Sequence, residues 1–212
     1  MKLRNLTWLA VFLILVSQWA AAEALVQVSR AEGQALIMRG LEKIESRAGA
    51  KVQLNDAVET SAGSKVDIVW GGAWGCRLLE SSRILITGME AKDQRMKLEK
   101  GGVLLHFKQM PRKSEFQIDT PTAVASVRGT QFMARTWGDG QEVGTTIAVL
   151  RGVVSITSKT TELRYKIRAG EALDIPSRGP KDSQRPITAE ERALLADTDR
   201  IRTHFGEENT GY

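Results

Sequence analysis

The chain has 212 residues, with 30 lysines and arginines against 25 aspartates and glutamates, for a formal charge of +5. With 42% apolar residues it can bury a core, and so mild a positive excess does not call for a nucleic-acid partner. Its single cysteine, Cys76, excludes an internal disulfide framework.

Lys2 and Arg4 precede a nearly unbroken apolar run from Leu6 to Val16, and Ala20-Ala21-Ala22 sets small residues before Glu23. This three-part layout predicts a cleavable secretory signal peptide over residues 1–22, and hence a periplasmic protein, with an extracellular one as the alternative. A membrane anchor needs roughly 20 apolar residues, and Ser17-Gln18 interrupts the run too early. Retention as an uncleaved anchor is the other reading; no Cys follows the small residues to carry a lipid. Losing the leader lowers the formal charge from +5 to +3 and leaves about 190 residues, enough for one domain. In an oxidising compartment a lone thiol closes no loop, so Cys76 reads as a small buried hydrophobe rather than a reactive group.

From Leu25 to Ile175 short alternating runs such as Val66-Asp67-Ile68-Val69-Trp70 and Val153-Val154-Ser155-Ile156-Thr157 are separated by glycine turns. Many short strands with frequent turns predict an all-β domain over 23–176. A weak repeat runs through Leu98 to Val103, Val149 to Val154 and Ile167 to Ala172: an apolar residue stands three before a glycine and another two after it. Stacked corners of this kind predict a short β-solenoid or roll, with a β-sandwich as the alternative. Residues 177–187, broken by Pro180, read as a linker. Thr188 with Glu191 forms a capping-box pattern that opens one helix over 188–205, followed by a tail over 206–212. Leu194, Leu195, Ile201 and Phe205 give that helix a thin apolar face, suited to packing on the side or end of the β-domain. Dimerisation or partner docking is the alternative role.

Catalytic constellations are missing. His106 and His204 lie far apart, no Cys/His cluster has metal-ligand spacing, and no nucleophile elbow or phosphate loop enters a helix. No metal or other cofactor is expected, and an enzyme is disfavoured. Trp70 and Trp74 flank Gly71-Gly72, while Trp137 stands beside Gly138 to Gly140. Aromatics at turns either make a sugar- or peptide-binding platform or cap a β-core. Lys92, Arg95, Lys97, Lys100, Lys108, Arg112 and Lys113 form the densest basic region. It reads as a solvated strand face, or alternatively as a patch for anionic envelope polymers or lipid headgroups.

Thr120-Pro121-Thr122-Ala123, followed by Val127-Arg128-Gly129-Thr130-Gln131-Phe132, resembles the signature of FecR-like domains. The likeness extends to Ala31 to Ala35, Val52 to Ser64, Leu98 to Val103, Thr145 to Val154 and Ala169-Gly170, and so covers about Ala31 to Ile175. Asn55 stands where the family usually has Gly, and Gly71-Gly72-Ala73 where many members have Asp-Gly-Ser. The best-known members are inner-membrane regulators with a cytoplasmic anti-sigma segment. This sequence shows neither that segment nor a following signalling domain.

The resemblance therefore implies a stand-alone, exported, non-enzymatic binding or scaffold module that contacts an envelope protein in signalling or assembly. A carbohydrate- or peptidoglycan-binding module is the alternative. Arg128, Trp70, Trp74 and Trp137 are the candidate binding residues. Thr120, Pro121, Gly129 and Thr130 are expected to be structural. Arg128 has a second reading, in which its guanidinium binds corner carbonyls or Asp119.

Overall fold

A computed structural model describes residues 26–71, 74–90, 92–107, 114–140, 142–178 and 181–203. The expected leader, the expected tail and His204, Phe205, Lys108, Arg112 and Lys113 lie outside the described residues. The domain consists of two facing sheets. The first runs in the order β1 (Val26–Glu32), β5 (Lys65–Trp70), β6 (Trp74–Leu78), β9 (Gly102–Phe107), β12 (Gln131–Trp137), β13 (Gly144–Arg151), β16 (Glu171–Pro176) and β17 (Ser183–Pro186). The second runs β15 (Arg164–Arg168), β14 (Val153–Ser158), β11 (Ala123–Val127), β10 (Glu115–Asp119), β8 (Asp93–Lys100), β7 (Arg83–Glu90), β4 (Ala57–Thr60), β2 (Ala35–Arg39) and β3 (Glu42–Glu45).

The glycine repeat marks passages between the sheets. Gly101 joins β8 to β9, Gly152 joins β13 to β14, and Gly170 lies between β15 and β16; each step changes sheet. All three have positive φ, at 81°, 86° and 87°, where a side chain would be strained. The corners do not build stacked parallel coils. Among the described residues every named strand pair is antiparallel except β8 with β10, so the pairing is that of two packed sheets rather than the expected solenoid.

Inward side chains of both sheets share one core. Ile37, Ile84, Leu98, Phe116 and Ile156 from the second sheet meet Ile68, Trp74, Leu105, Phe132 and Val149 from the first. The outer faces differ, and the sequence shows why. Strand β14 alternates exposed and buried residues, because one face meets water. Strand β9, Gly-Val-Leu-Leu-His-Phe, is buried at every position, because its outer face is covered as well.

The cover is helical. Leu104, Met133, Ala148 and Ala172 on the outer face of the first sheet pack with Ile187 and Leu195. The helix expected over 188–205 is in fact two, α1 (Ala189–Ala196) and α2 (Asp199–Thr203). Its capping box is formed: the Thr188 hydroxyl accepts the Glu191 N–H at 3.1 Å, and the Glu191 carboxylate accepts the Thr188 N–H at 2.7 Å. Side-chain bonds accompany the break at Asp197-Thr198. The Thr198 hydroxyl donates to the Leu195 carbonyl at 2.7 Å and receives the Gln131 amide, while Arg77 holds the Asp197 carboxylate. The expected linker also contains a strand: β17 pairs with β16, with Pro186 opposite Glu171. As an edge strand β17 tolerates a proline there. No helix among the described residues is long and apolar enough to cross a membrane.

Candidate functional site

The Thr-Pro corner binds the two sheets together. The Thr120 hydroxyl accepts the Ala123 N–H at 3.0 Å and receives the Thr145 hydroxyl of the first sheet, also at 3.0 Å. Thr122 donates to the Ile175 carbonyl at 2.8 Å, again across the sheets. Pro121 is exposed at the tip. Gly129 turns the chain from β11 to β12 with φ of 70°, and Thr130 is buried just before β12. This corner interlocks with the next: a Cβ at Gly152 would lie 2.8 Å from the Thr130 methyl and 3.1 Å from the Gly129 carbonyl oxygen.

Arg128 departs from its structural reading. Asp119, the expected partner, is paired with Lys159, whose ammonium also donates to the Thr120 carbonyl at 2.6 Å. Lys159 thus does the work foreseen for Arg128, which is exposed and has no hydrogen-bond or ion-pair partner among the described residues. It stands at one end of an open groove of about 1160 Å³ on the outer face of the second sheet. Ser126, Ser155 and Thr157 form a hydroxyl floor, with Arg164 and Lys166 along the β15 side.

The tryptophans separate. Trp70 and Trp74 are 1% and 0% exposed and stack with ring centroids 5.0 Å apart. Trp74 also packs on Phe107 and Phe116, and its indole N–H donates to Gln94 at 2.7 Å. They cap the core, as one of the two readings foresaw, and cannot present a sugar platform. Trp137 is 40% exposed and lies flat over Gly144, where a Cβ would come within 2.0 Å of its ring. It sits six residues along β12 from Gln131, about 20 Å away at the rise of a strand, while Gln131 and Trp74 flank the same end of β9. The three rings therefore make no common surface.

The described part of the basic region is a mixed-charge face: Arg95 pairs with Asp93, Lys97 with Glu99, and Arg83 with Glu59 and Glu99. Cys76 is buried in the core, and that burial pushes its thiol pKa well up. Among the described residues no group of three or more His, Cys, Asp or Glu gathers as metal ligands would.

Several contacts were not foreseen from sequence. Arg77, 4% exposed, forms a bidentate pair with Asp67 at 2.6 and 2.7 Å and also binds Asp197, anchoring the helical turn. The Asp67 bond holds its guanidinium pKa above the usual arginine value. Arg185 bridges Asp174 at 2.6 Å and Glu191 at 2.7 Å, and that arginine keeps the Glu191 carboxyl below the usual carboxylate range. Asp56 accepts both the Arg39 guanidinium, at 2.9 and 2.7 Å, and the Gln53 N–H, at 2.8 Å. Asn55 beside it adopts φ of 67°, the left-handed turn that the family's glycine would supply.

Together these features define a two-sheet β-domain with a helical cover on one face and an open, basic, hydroxyl-lined groove on the other. Residues 56–155 match the family model described as FecR protein, so this stretch of the chain is FecR-like. Two solved structures of a protein from Parabacteroides distasonis ATCC 8503, described as a "putative anti-sigma factor", share the fold with TM-scores of 0.57 at 11% identity. The alignments cover 66% of this chain and 63% and 64% of those chains, so this chain spans less than two thirds of their length. No curated protein matches the chain.

Proposed function

We propose that this chain is an exported, non-enzymatic FecR-like module that holds a protein partner in envelope signalling or assembly, and that the groove on the second sheet is its contact surface. The observation that carries this reading is Arg128. It belongs to the family-like Val-Arg-Gly-Thr signature, yet it is exposed and unpaired among the described residues, at the end of a groove. A guanidinium on a corner that makes no ion pair of its own, although Glu115 lines the same end of the groove on β10, is suited to bidentate recognition of an external carboxylate or carbonyl. On the first sheet the helices cover the outer face around Leu104, Met133, Ala148 and Ala172. Export rests on the leader pattern of residues 1–22 and is tested by the mass of the mature protein, which should begin at Glu23.

Site-specific photo-crosslinking in cells tests the contact. A benzophenone side chain at Thr157, in the groove, should capture one envelope protein, whereas the same group at Lys43, on the far edge strand β3, should not. Absence of any adduct from Thr157, or equal adducts from both positions, would refute the reading.

A further inference from the structure

We infer that the groove takes an extended acidic segment of a partner protein, with carboxylates on alternate residues set against strand β15. This rests on the reading of the chain as a binding module and names the chemistry of its partner. Strand β15 ends the second sheet. Arg164, Lys166 and Arg168 are exposed on it at every second residue, so all three point outward about 6.7 Å apart. They stand in register with Thr157, Ser155 and Val153 of β14, and Ser155 in turn faces Ser126 of β11. Arg128 follows Val127, which pairs with Val154, so it closes the end of the groove on the β11 side near Val153.

Charge balance selects the ligand. Elsewhere on this sheet Arg39, Arg83, Arg95 and Lys97 each have a carboxylate of their own chain, and the cations without one, Lys43 and Lys100, stand on separate strands rather than in a row. Arg128, Arg164, Lys166 and Arg168 have no ion-pair partner among the described residues. Spacing selects an extended ligand, because carboxylates on alternate residues of a strand repeat at the same ~6.7 Å. The edge is also open to main-chain pairing. The Arg168 N–H points away from β14 and is taken by the Glu171 carboxylate at 2.7 Å, and strand alternation turns the N–H groups of Lys166 and Arg164 to that same side, where they are the donors left for a partner strand. A second copy of this edge is a poor occupant, since it would set cation against cation.

The test measures anisotropy of a fluorescein-labelled ten-residue peptide with Asp or Glu at every second position, titrated with the purified full chain. An isomer with the same residues but the acids in one block serves as comparison, and long-chain inorganic polyphosphate as competitor. The alternating peptide should bind about tenfold tighter than its isomer, and R164Q/K166Q should weaken it by about tenfold while K43Q stays within about twofold. An unchanged melting temperature of R164Q/K166Q ensures that the loss is not unfolding. Equal binding of the isomers, indifference to R164Q/K166Q, or stronger binding of polyphosphate than of the peptide at equal charge would each overturn the inference. Thr157 crosslinks that persist in R164Q/K166Q would overturn it too while leaving the binding-module reading standing. Loss of all crosslinks in the parent chain would remove both.

Discussion

Substituting alanine at the three repeat glycines should destabilise the domain in the order Gly170, Gly152, Gly101. All three have positive φ, which costs an L-residue about 1–2 kcal/mol. At Gly170 nothing lies within 4 Å of the added Cβ, so that strain is the whole effect. At Gly152 the Cβ meets the Thr130 methyl at 2.8 Å, and relieving such overpacking adds about 1–3 kcal/mol. At Gly101 the Cβ would lie 2.5 Å from the Cα of Ser82, a backbone atom that cannot rotate aside. Ser82 is also tied, since its hydroxyl accepts the Gly102 N–H at 2.8 Å and donates to the Glu80 carbonyl at 2.9 Å. Gly101→Ala should therefore cost about 4 kcal/mol or more. Urea unfolding followed by the fluorescence of the buried Trp70 and Trp74 measures the three values. If Gly170→Ala costs as much as Gly101→Ala, close approach is not what these corners enforce, and the argument from packing fails.

Arg77→Ala should cost about 3–5 kcal/mol, because it strands the Asp67 carboxylate, 2% exposed, without a counter-charge. The double substitution R77M/D67L should recover most of that loss; a cost below about 1 kcal/mol for Arg77→Ala would deny the pair its structural role. Trp74→Ala should cost about 3–5 kcal/mol by emptying the aromatic cap, while glycan panels should leave the tryptophan emission of the parent unchanged. Glu191→Gln should lower stability at pH 7. The Glu191 carboxyl titrates below its ordinary value of about 4.3, so its contribution is present above that pH and lost as pH falls through the folded value. Acid titration should accordingly bring the parent and E191Q curves together as pH falls through the lowered folded value, and a gap that widens on acidification would contradict the assigned contact.

Local signals were legible wherever one element carried them. The glycine frame marks corners, and the capping box starts a helix at the expected residue. The burial of Trp70 was legible as well: Val66, Ile68 and Trp70 share one face of β5, and the hairpin sets Trp74 directly opposite Trp70. A turn-flanking tryptophan on the apolar face of a strand belongs to the core. Architecture was harder, because a glycine corner looks the same whether the chain climbs a coil or crosses to an opposite sheet. Only the register shows that every named pair but β8 with β10 is antiparallel. Contacts between distant residues left no mark at all. Arg77 and Asp197 are 120 positions apart, and nothing near Asp119 announces that Lys159, rather than Arg128, will neutralise it. The open face could be inferred from patterning, since β14 alternates and β9 does not; which charges would stay unpaired on that face could not.

The passages at Gly101, Gly152 and Gly170 also bear on how the domain assembles. Each sheet is woven from strands drawn from both halves of the chain, with β1 beside β5 and β12 between β9 and β13 in the first, and β10 between β8 and β11 in the second. No contiguous half contains a complete layer. Pairings of such sequence separation make folding slow, on the order of milliseconds to seconds, and β17 and the helices emerge from synthesis after the apolar surface they cover. A chain cut before Ile187 would leave Leu104, Met133 and Ala148 bare to solvent, so the outer face of the first sheet is an apolar liability until the helices dock.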